Sequence, residues 1–236
     1  MRRSNRKWVW QYDTDEGYRE TVLEELHSNR IGVIADTHDE SAIVEAAIDR
    51  FARAKCSCVI HLGDIVKPST LMQFANLPRR TCLGWIHGDH EMGKGGDYES
   101  LQEVSQQIGA ICLSSPQKQS EPHGQAGLLR VNQWRLGLVH STYKRTKYRT
   151  LIEEWSASGN FDYILYGHTH YLNLKFPSTN SPTVILNPGG FYFKPFSICI
   201  LDCDRGLVNL YSFMAHSFVY IATIDIGGRI LLKGYD

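Results

Sequence analysis

The stretch YILYGHTH, from Tyr163 to His170, carries the features around which the rest of the fold is organised. Its apolar start is typical of a short buried strand, and Gly167 lets the backbone turn sharply where that strand ends. His168 and His170 follow the turn, and imidazole is the commonest metal-ligating side chain. Histidines in such a pair are also common as loop residues in contact with water. The pair alone therefore leaves both a metal site and a solvated loop open.

Four further apolar runs end in candidate ligands, and the carboxyl ends of strands in an open α/β sheet gather along one edge. The runs are residues 31–35, 58–62, 81–87 and 134–139, and the side chains that follow or end them are Asp36 and His38, Asp64, Asp89 and His90, and His140. Taken singly, Asp36 could cap a helix, Asp64 could form a turn, and His140 could be a hydrogen-bonded core residue. Five such coincidences at strand ends favour a metal cluster instead.

Eight Asp and His side chains are too many for one tetrahedral ion. They suit two divalent ions ~3.5–4 Å apart with one carboxylate bridging them. The absence of thiolates from this set favours Mn, Fe, Zn, Ni or Co, and the imidazoles argue against Mg or Ca alone. Two such ions polarise a phosphoryl oxygen and lower the pKa of bound water toward ~7, which supplies a hydroxide nucleophile. The cluster therefore predicts a hydrolase that acts on phosphate esters.

Composition narrows the class of protein. The chain has 25 Lys+Arg and 25 Asp+Glu, so its formal net charge is zero, which disfavours nucleic acid as the main partner. Its six cysteines lie in or beside apolar runs and form no Cys-x-x-Cys pair, which is typical of buried thiols in a reducing compartment. No segment approaches the ~20 apolar residues of a membrane span. We expect a cytoplasmic protein that does not enter a membrane.

Length and pattern predict the domain organisation. A chain of 236 residues suits one well-buried α/β domain. We assign residues 1–30 to an N-terminal extension and residues 31–236 to a single domain. Within the extension, Val22 and Leu26 share one face of a possible short helix over Thr21–His27.

The strand-end motifs resemble those of the calcineurin-like metallophosphoesterases in order and spacing, and most closely those of the short YfcE-like branch. The resemblance covers roughly residues 31–190 and rests on Asp36-x-His38, Gly63-Asp64, Gly88-Asp89-His90, His140, Gly167-His168-Thr169-His170 and Asn187-Pro188-Gly189-Gly190. It implies an α/β fold, a four-layer α/β/β/α sandwich with two central mixed β-sheets.

The resemblance also implies a site. One ion would be held by Asp36, His38, Asp64 and His170, and the second by Asp64, Asp89, His140 and His168. Asp64, shared by both ions, and His90 would be the catalytic residues. His90 would stabilise the transferring phosphoryl group or protonate the leaving oxygen.

Asp89 departs from the family pattern, which typically has Asn at this position. A third carboxylate should tighten the second ion but weaken its Lewis acidity, because ligand charge offsets the field on the substrate. We expect an active enzyme that is slower than an Asn enzyme or prefers a different metal.

Two other functions compete with a phosphodiesterase or phosphomonoesterase. A protein Ser/Thr phosphatase is less favoured because Gly63–Pro68 lacks the Asp-Arg-Gly continuation of that branch. A non-catalytic scaffold for protein–protein interaction, as in the retromer subunit of this fold, is expected to lose ligands. All the histidines of the pattern are present here, including His90.

We expect a small phosphorylated substrate. Lys144 and Arg145, with Lys147 and Arg149, could bind a substrate phosphate just after His140, or they could form a solvated helix face. The sequence carries no signal for a particular oligomeric state.

Overall fold

The computed structural model describes residues 9–13, 18–92, 97–114, 126–141, 147–179, 181–190 and 194–233. The strands in these ranges are β1 Val9–Asp13, β2 Arg19–Leu23, β3 Arg30–Ile34, β4 Cys58–His61, β5 Cys82–Trp85, β6 Ile111–Cys112, β7 Ala126–Val131, β8 Trp134–Val139, β9 Tyr163–Tyr166, β10 Leu172–Lys175, β11 Val184–Pro188, β12 Ser197–Asp202, β13 Leu207–Met214, β14 Ser217–Asp225 and β15 Ile230–Lys233. The α-helices are α1 Ser41–Arg53, α2 Pro68–Gln73, α3 Asp89–Met92, α4 Tyr98–Ile108 and α5 Lys147–Ser158. None of these helices is long and apolar enough to cross a membrane.

The strands form two mixed sheets. One sheet has the order β15-β14-β13-β12-β3-β4-β5-β6, and the other has the order β1-β2-β7-β8-β9-β11-β10. In the first sheet β3, β4, β5 and β6 run parallel, whereas β12 to β15 pair antiparallel. In the second sheet β8, β9 and β11 run parallel. Parallel strands at the centre of each sheet bring the segments that follow them to the same edge.

Three apolar cores separate four layers. The largest lies between the sheets and includes Ile31 and Val33 of β3 and Leu138 of β8. A second core joins the outer face of the first sheet to α1, α2 and α4, and a third joins the outer face of the second sheet to α5. The predicted α/β/β/α sandwich with two central mixed sheets is confirmed.

Alternation along β3 explains how one strand serves two cores. Successive side chains of a strand point to opposite faces, so Ile31 and Val33 enter the core between the sheets while Ile34 faces the helices. Gly32 lies on the helix side, where a Cβ would stand 2.5 Å from Cδ1 of Phe51. The missing side chain lets α1 pack directly on the strand, and the buried Phe51 ring contributes about 2–3 kcal/mol there.

The start of the chain differs from its predicted secondary structure. Residues 21–23 belong to strand β2 and not to a helix. This strand pairs in parallel with β7, with Glu20 opposite Leu128 and Leu23 opposite Val131. Its partners in β7 lie more than 100 residues away, and β1 pairs with its other edge, so pairing within the sheet outweighs the local helical pattern. The boundary between residues 1–30 and 31–236 stays a prediction; strands β1 and β2 of that segment belong to the second sheet.

Candidate metal centre

Asp36 anchors the candidate site. It lies two residues after the end of β3, and its backbone N–H donates to the carbonyl of Gly63 after β4 (3.0 Å). Its carboxylate is fully buried and accepts the backbone N–H of His168 at 3.0 and 3.1 Å to its two oxygens. Burial raises the pKa of Asp36 to about 8, more than the neighbouring His140 can offset. A carboxylate in such a place is stabilised by a cation.

A first group of ligand atoms surrounds this carboxylate. Single ligand atoms of Asp36, His38, Asp64 and His170 all lie within 4.8 Å of one another. Nε2 of His170 is 3.7 Å from Oδ1 of Asp36, and Nε2 of His38 is 3.6 Å from Oδ2 of Asp64. Burial lowers the pKa of His170 to about 4 and also lowers that of His38. Both rings are therefore held in the neutral form that binds metals.

A second group lies beside the first. Ligand atoms of Asp89, His140 and His168 lie within 4.8 Å of one another, with Nδ1 of His168 3.1 Å from Oδ2 of Asp89. Burial opposes ionisation of Asp89, but hydrogen bonds with His168 and Ser141 and the charge of His140 hold its pKa below the ordinary value. Nε2 of His140 is 3.4 Å from Oδ2 of Asp64. Asp64 therefore touches both groups.

The environment of His140 shows that the donor set suits metal ions. Its Nδ1 lies 2.6 Å from the carbonyl oxygen of Leu62, and because a carbonyl can only accept, Nδ1 carries the hydrogen. Nε2 is buried without a hydrogen-bond partner among the described residues and faces the carboxylates of Asp36 and Asp64. Burial opposes protonation, yet the acids Asp64, Asp36 and Asp89 raise the pKa of His140 well above its usual value. The field that attracts this proton attracts a divalent ion equally, and metal binding displaces the proton.

The backbone at the site is unusual. Five of the seven ligand candidates have positive φ: Asp36 (51°), His38 (41°), Asp64 (56°), His168 (70°) and His170 (60°). Non-glycine residues rarely adopt this conformation, which persists only where the surrounding structure imposes it. The strain is concentrated at the loops that present the ligands. Such clustering is typical of functional sites.

Gly167 allows the loop after β9 to approach the loop after β4 closely. A Cβ at this position would lie 2.7 Å from the carbonyl oxygen of Leu62 and 3.0 Å from Nδ1 of His140. Asn187 secures the same turn from β11, donating to the carbonyl of Gly167 (2.9 Å) and lying 3.0 Å from Oγ1 of Thr169. The turn thus brings the second sheet within reach of the first.

The predicted catalytic histidine lies at the exposed edge of the candidate metal centre. His90 is exposed, its backbone N–H donates to Oδ1 of Asp64 (3.1 Å), and its ring lies edge-on to His38 with centroids 4.8 Å apart. It is in neither ligand group. Lys144 and Arg145, the predicted phosphate-binding residues, lie outside the described residues.

Glu91 is a residue whose role the sequence did not reveal. It is 2% exposed, and its Oε1 accepts the backbone N–H of Val66 (2.8 Å). Its Oε2 accepts the N–H groups of Asp64 (3.1 Å) and Gly88 (2.5 Å). Burial, reinforced by the charge of Asp64, raises the pKa of Glu91. One buried side chain thus ties the loop after β4 to the loop after β5.

The sequence of this chain is similar to a known family of proteins. Residues 30–206 match the family described as the calcineurin-like phosphoesterase superfamily domain. A curated relative, phosphodiesterase MJ0936 of Methanocaldococcus jannaschii, is 24% identical over 179 residues, which cover 75% of this chain and 94% of the relative.

Solved structures show the same fold. A novel archaeal phosphodiesterase has a TM-score of 0.63 at 22% identity, covering 78% of this chain and 99% of that one. Vps29 of Entamoeba histolytica complexed with zinc has a TM-score of 0.54 at 16% identity, covering 84% of this chain and 99% of that one. Since the family model spans most of the 236 residues, the chain belongs to the calcineurin-like phosphoesterase superfamily, a metal-dependent family.

Proposed function

We propose that the protein hydrolyses a small phosphodiester or phosphomonoester and binds two divalent transition-metal ions at the two ligand groups. The observation that carries this proposal is the position of Asp64, whose carboxylate lies 3.6 Å from His38 of one group and 3.4 Å from His140 of the other. A carboxylate placed between two groups of Asp and His ligands could bridge two ions of a dinuclear centre.

The residues divide into clear roles. Asp36, His38 and His170 would hold the first ion, Asp89, His140 and His168 the second, and Asp64 would bridge them. When bound, the ions would supply a polarised phosphoryl oxygen and a hydroxide nucleophile from water. His90, exposed beside His38, is placed to stabilise the transferring phosphoryl group or to protonate the leaving oxygen. Mn, Fe, Zn, Ni or Co would suit the mixed Asp and His ligands.

Asp89 would add a negative charge to the ligands of the second ion. Three carboxylates face four metal charges here, and the Asp89 carboxylate holds its negative charge beside His168. We expect Asp89→Asn to increase turnover or to change the preferred metal, because a neutral oxygen offsets less of the field on the substrate. Rates with bis(p-nitrophenyl) phosphate across Mn, Ni, Co and Zn test this. Identical rates and metal preference in the two proteins would refute it.

The test of function is metal-dependent turnover. Purified protein, stripped with chelator and reloaded with Mn or Ni, should hydrolyse bis(p-nitrophenyl) phosphate, and His90→Ala should lose that activity while retaining the ions. A protein that binds no metal and stays inert with either ion would instead be the non-catalytic scaffold.

We place the enzyme in the cytoplasm, a location with which its six free cysteines agree.

A further inference from the structure

A groove runs along the outer face of the second sheet, between α5 and strands β9, β10 and β11. Its volume is about 540 Å³, within the range of small-molecule sites. Side chains from α5 form one wall, including Tyr148, Arg149 and Glu153, and the segment from Tyr166 to Lys175 forms much of the other. The groove is therefore large enough for an organic substituent, such as a nucleoside or a sugar.

The groove begins beside the candidate metal centre. Thr169, which lines it, stands between His168 and His170 in the chain. Tyr148, which also lines it, places its ring edge-on to His168 with centroids 5.6 Å apart. A phosphate ester bound at the metal centre would therefore extend its organic part into this groove.

Two cations line the groove. Arg149 is held against Tyr148, with its Nε donating to the Tyr148 hydroxyl (3.2 Å) and its guanidinium 5.8 Å from the ring centroid. Lys175 is exposed at the end of β10, on the same strand face as Asn173, which donates to the Tyr166 hydroxyl (2.6 Å). In the described part of the chain neither cation forms an ion pair.

The position of Lys175 sets the length of the ligand. Leu172, at the other end of β10, pairs with Pro188, and Gly190 two residues later would place a Cβ 2.6 Å from that of Asp36. Lys175 is three residues after Leu172 on this strand, a rise of ~10 Å. Lys175 therefore lies ~10 Å along β10 from the strand end nearest the metal centre, a span similar to the length of one nucleoside.

We propose that this groove binds the non-reacting part of the substrate and that Arg149 and Lys175 bind a second phosphate carried on it, an inference that rests on the proposed function. Arginine forms paired hydrogen bonds with phosphate oxygens, and lysine supplies a mobile point charge. Glu153 in the same groove opposes an anion. The predicted substrate class is thus a phosphoester with a further phosphate, such as a nucleoside bisphosphate derivative.

Matched substrates isolate the second phosphate. Thymidine 5′-(p-nitrophenyl phosphate) is assayed with and without a 3′-phosphate, beside bis(p-nitrophenyl) phosphate, which has no second anion. In the wild type the 3′-phosphate should lower KM by about tenfold, as expected for hydrogen bonds to a charged group. Arg149→Gln with Lys175→Gln should abolish this gain, measured as the ratio of the KM values with and without the 3′-phosphate, so that any change common to both substrates cancels. Glu153→Gln should increase the gain. Arg80→Gln, an exposed residue just before β5 of the first sheet, is the control.

A binding measurement separates this proposal from the proposed function. Calorimetry on Mn-loaded His90→Ala protein compares thymidine 3′,5′-bisphosphate with thymidine 5′-monophosphate. Tighter binding of the bisphosphate, lost in the Arg149 and Lys175 double variant, supports the groove even if no substrate turns over. Equal affinities, or a preference that survives the double substitution, would overturn it while turnover of bis(p-nitrophenyl) phosphate still supports the enzyme.

Discussion

Replacement of Glu91 by Gln tests whether a buried side chain outside the ligand set holds the two halves of the site together. The carboxylate accepts three backbone N–H groups, from Val66 at one oxygen and from Asp64 and Gly88 at the other. Glutamine has a single acceptor oxygen and places an NH₂ group against the remaining donor. If that oxygen serves Asp64 and Gly88, the bond to Val66 is lost.

The expected loss of stability follows from the loss of this one hydrogen bond. One hydrogen bond to a charged acceptor is worth about 1.5–3 kcal/mol. For a domain of this size, 1 kcal/mol corresponds to about 2–4 °C in Tm, so Glu91→Gln should lower Tm by about 3–12 °C. The matched control is Glu103→Gln, an exposed residue on α4 whose replacement should change Tm by less than about 2 °C.

Thermal melts with and without metal give the assay. Because Glu91 positions the loop of Asp64, Tm should gain less from added Mn in the variant than in the wild type. If Glu91 had a purely structural role, the variant would lose the same number of degrees with Mn as without Mn. If Glu91→Gln melts at the same temperature as the Glu103→Gln control and gains as much in Tm from Mn as the wild type, Glu91 does not hold the two loops together.

Three further substitutions probe the site and its support. His168→Ala should remove one of two bound ions by elemental analysis, whereas loss of both would indicate one coupled site. Gly88→Ala would place a Cβ 2.1 Å from Oδ1 of Asp64, so turnover of bis(p-nitrophenyl) phosphate should fall at least about tenfold; normal turnover would contradict the observed contact. Gly32→Ala should meet the Phe51 ring and cost about 1–3 kcal/mol in urea unfolding, with turnover nearly unchanged. An unaltered unfolding midpoint would show that α1 shifts freely.

Local patterns in the sequence were sufficient to predict the strands that end at the site. The apolar run Trp134–Val139 coincides with β8, and the run over residues 58–62 contains β4. Each strand of the site ends at a change from apolar to polar residues, which needs no knowledge of distant partners. The gathering of Asp36, Asp64 and His168 then follows from the parallel order of the central strands.

Features that depend on distant partners were beyond such patterns. Thr21–Leu23 has a spacing compatible with a helix, and its pairing with β1 and with the distant β7 makes it a strand. Glu91 directly follows the Gly88-Asp89-His90 motif, yet its role comes largely from N–H groups on a loop some 25 residues earlier. Lys175 matters only because β10 lies beside α5, a neighbourhood that no local pattern encodes.

The stoichiometry of metal binding tests the dinuclear centre most directly. Wild-type protein stripped of metal and titrated with Mn should bind two ions per chain, as counted by calorimetry and by elemental analysis after dialysis. Asp64→Ala should bind neither tightly, since that carboxylate contacts both ligand groups. One ion per wild-type chain, or two ions retained without Asp64, would contradict a centre bridged by this residue.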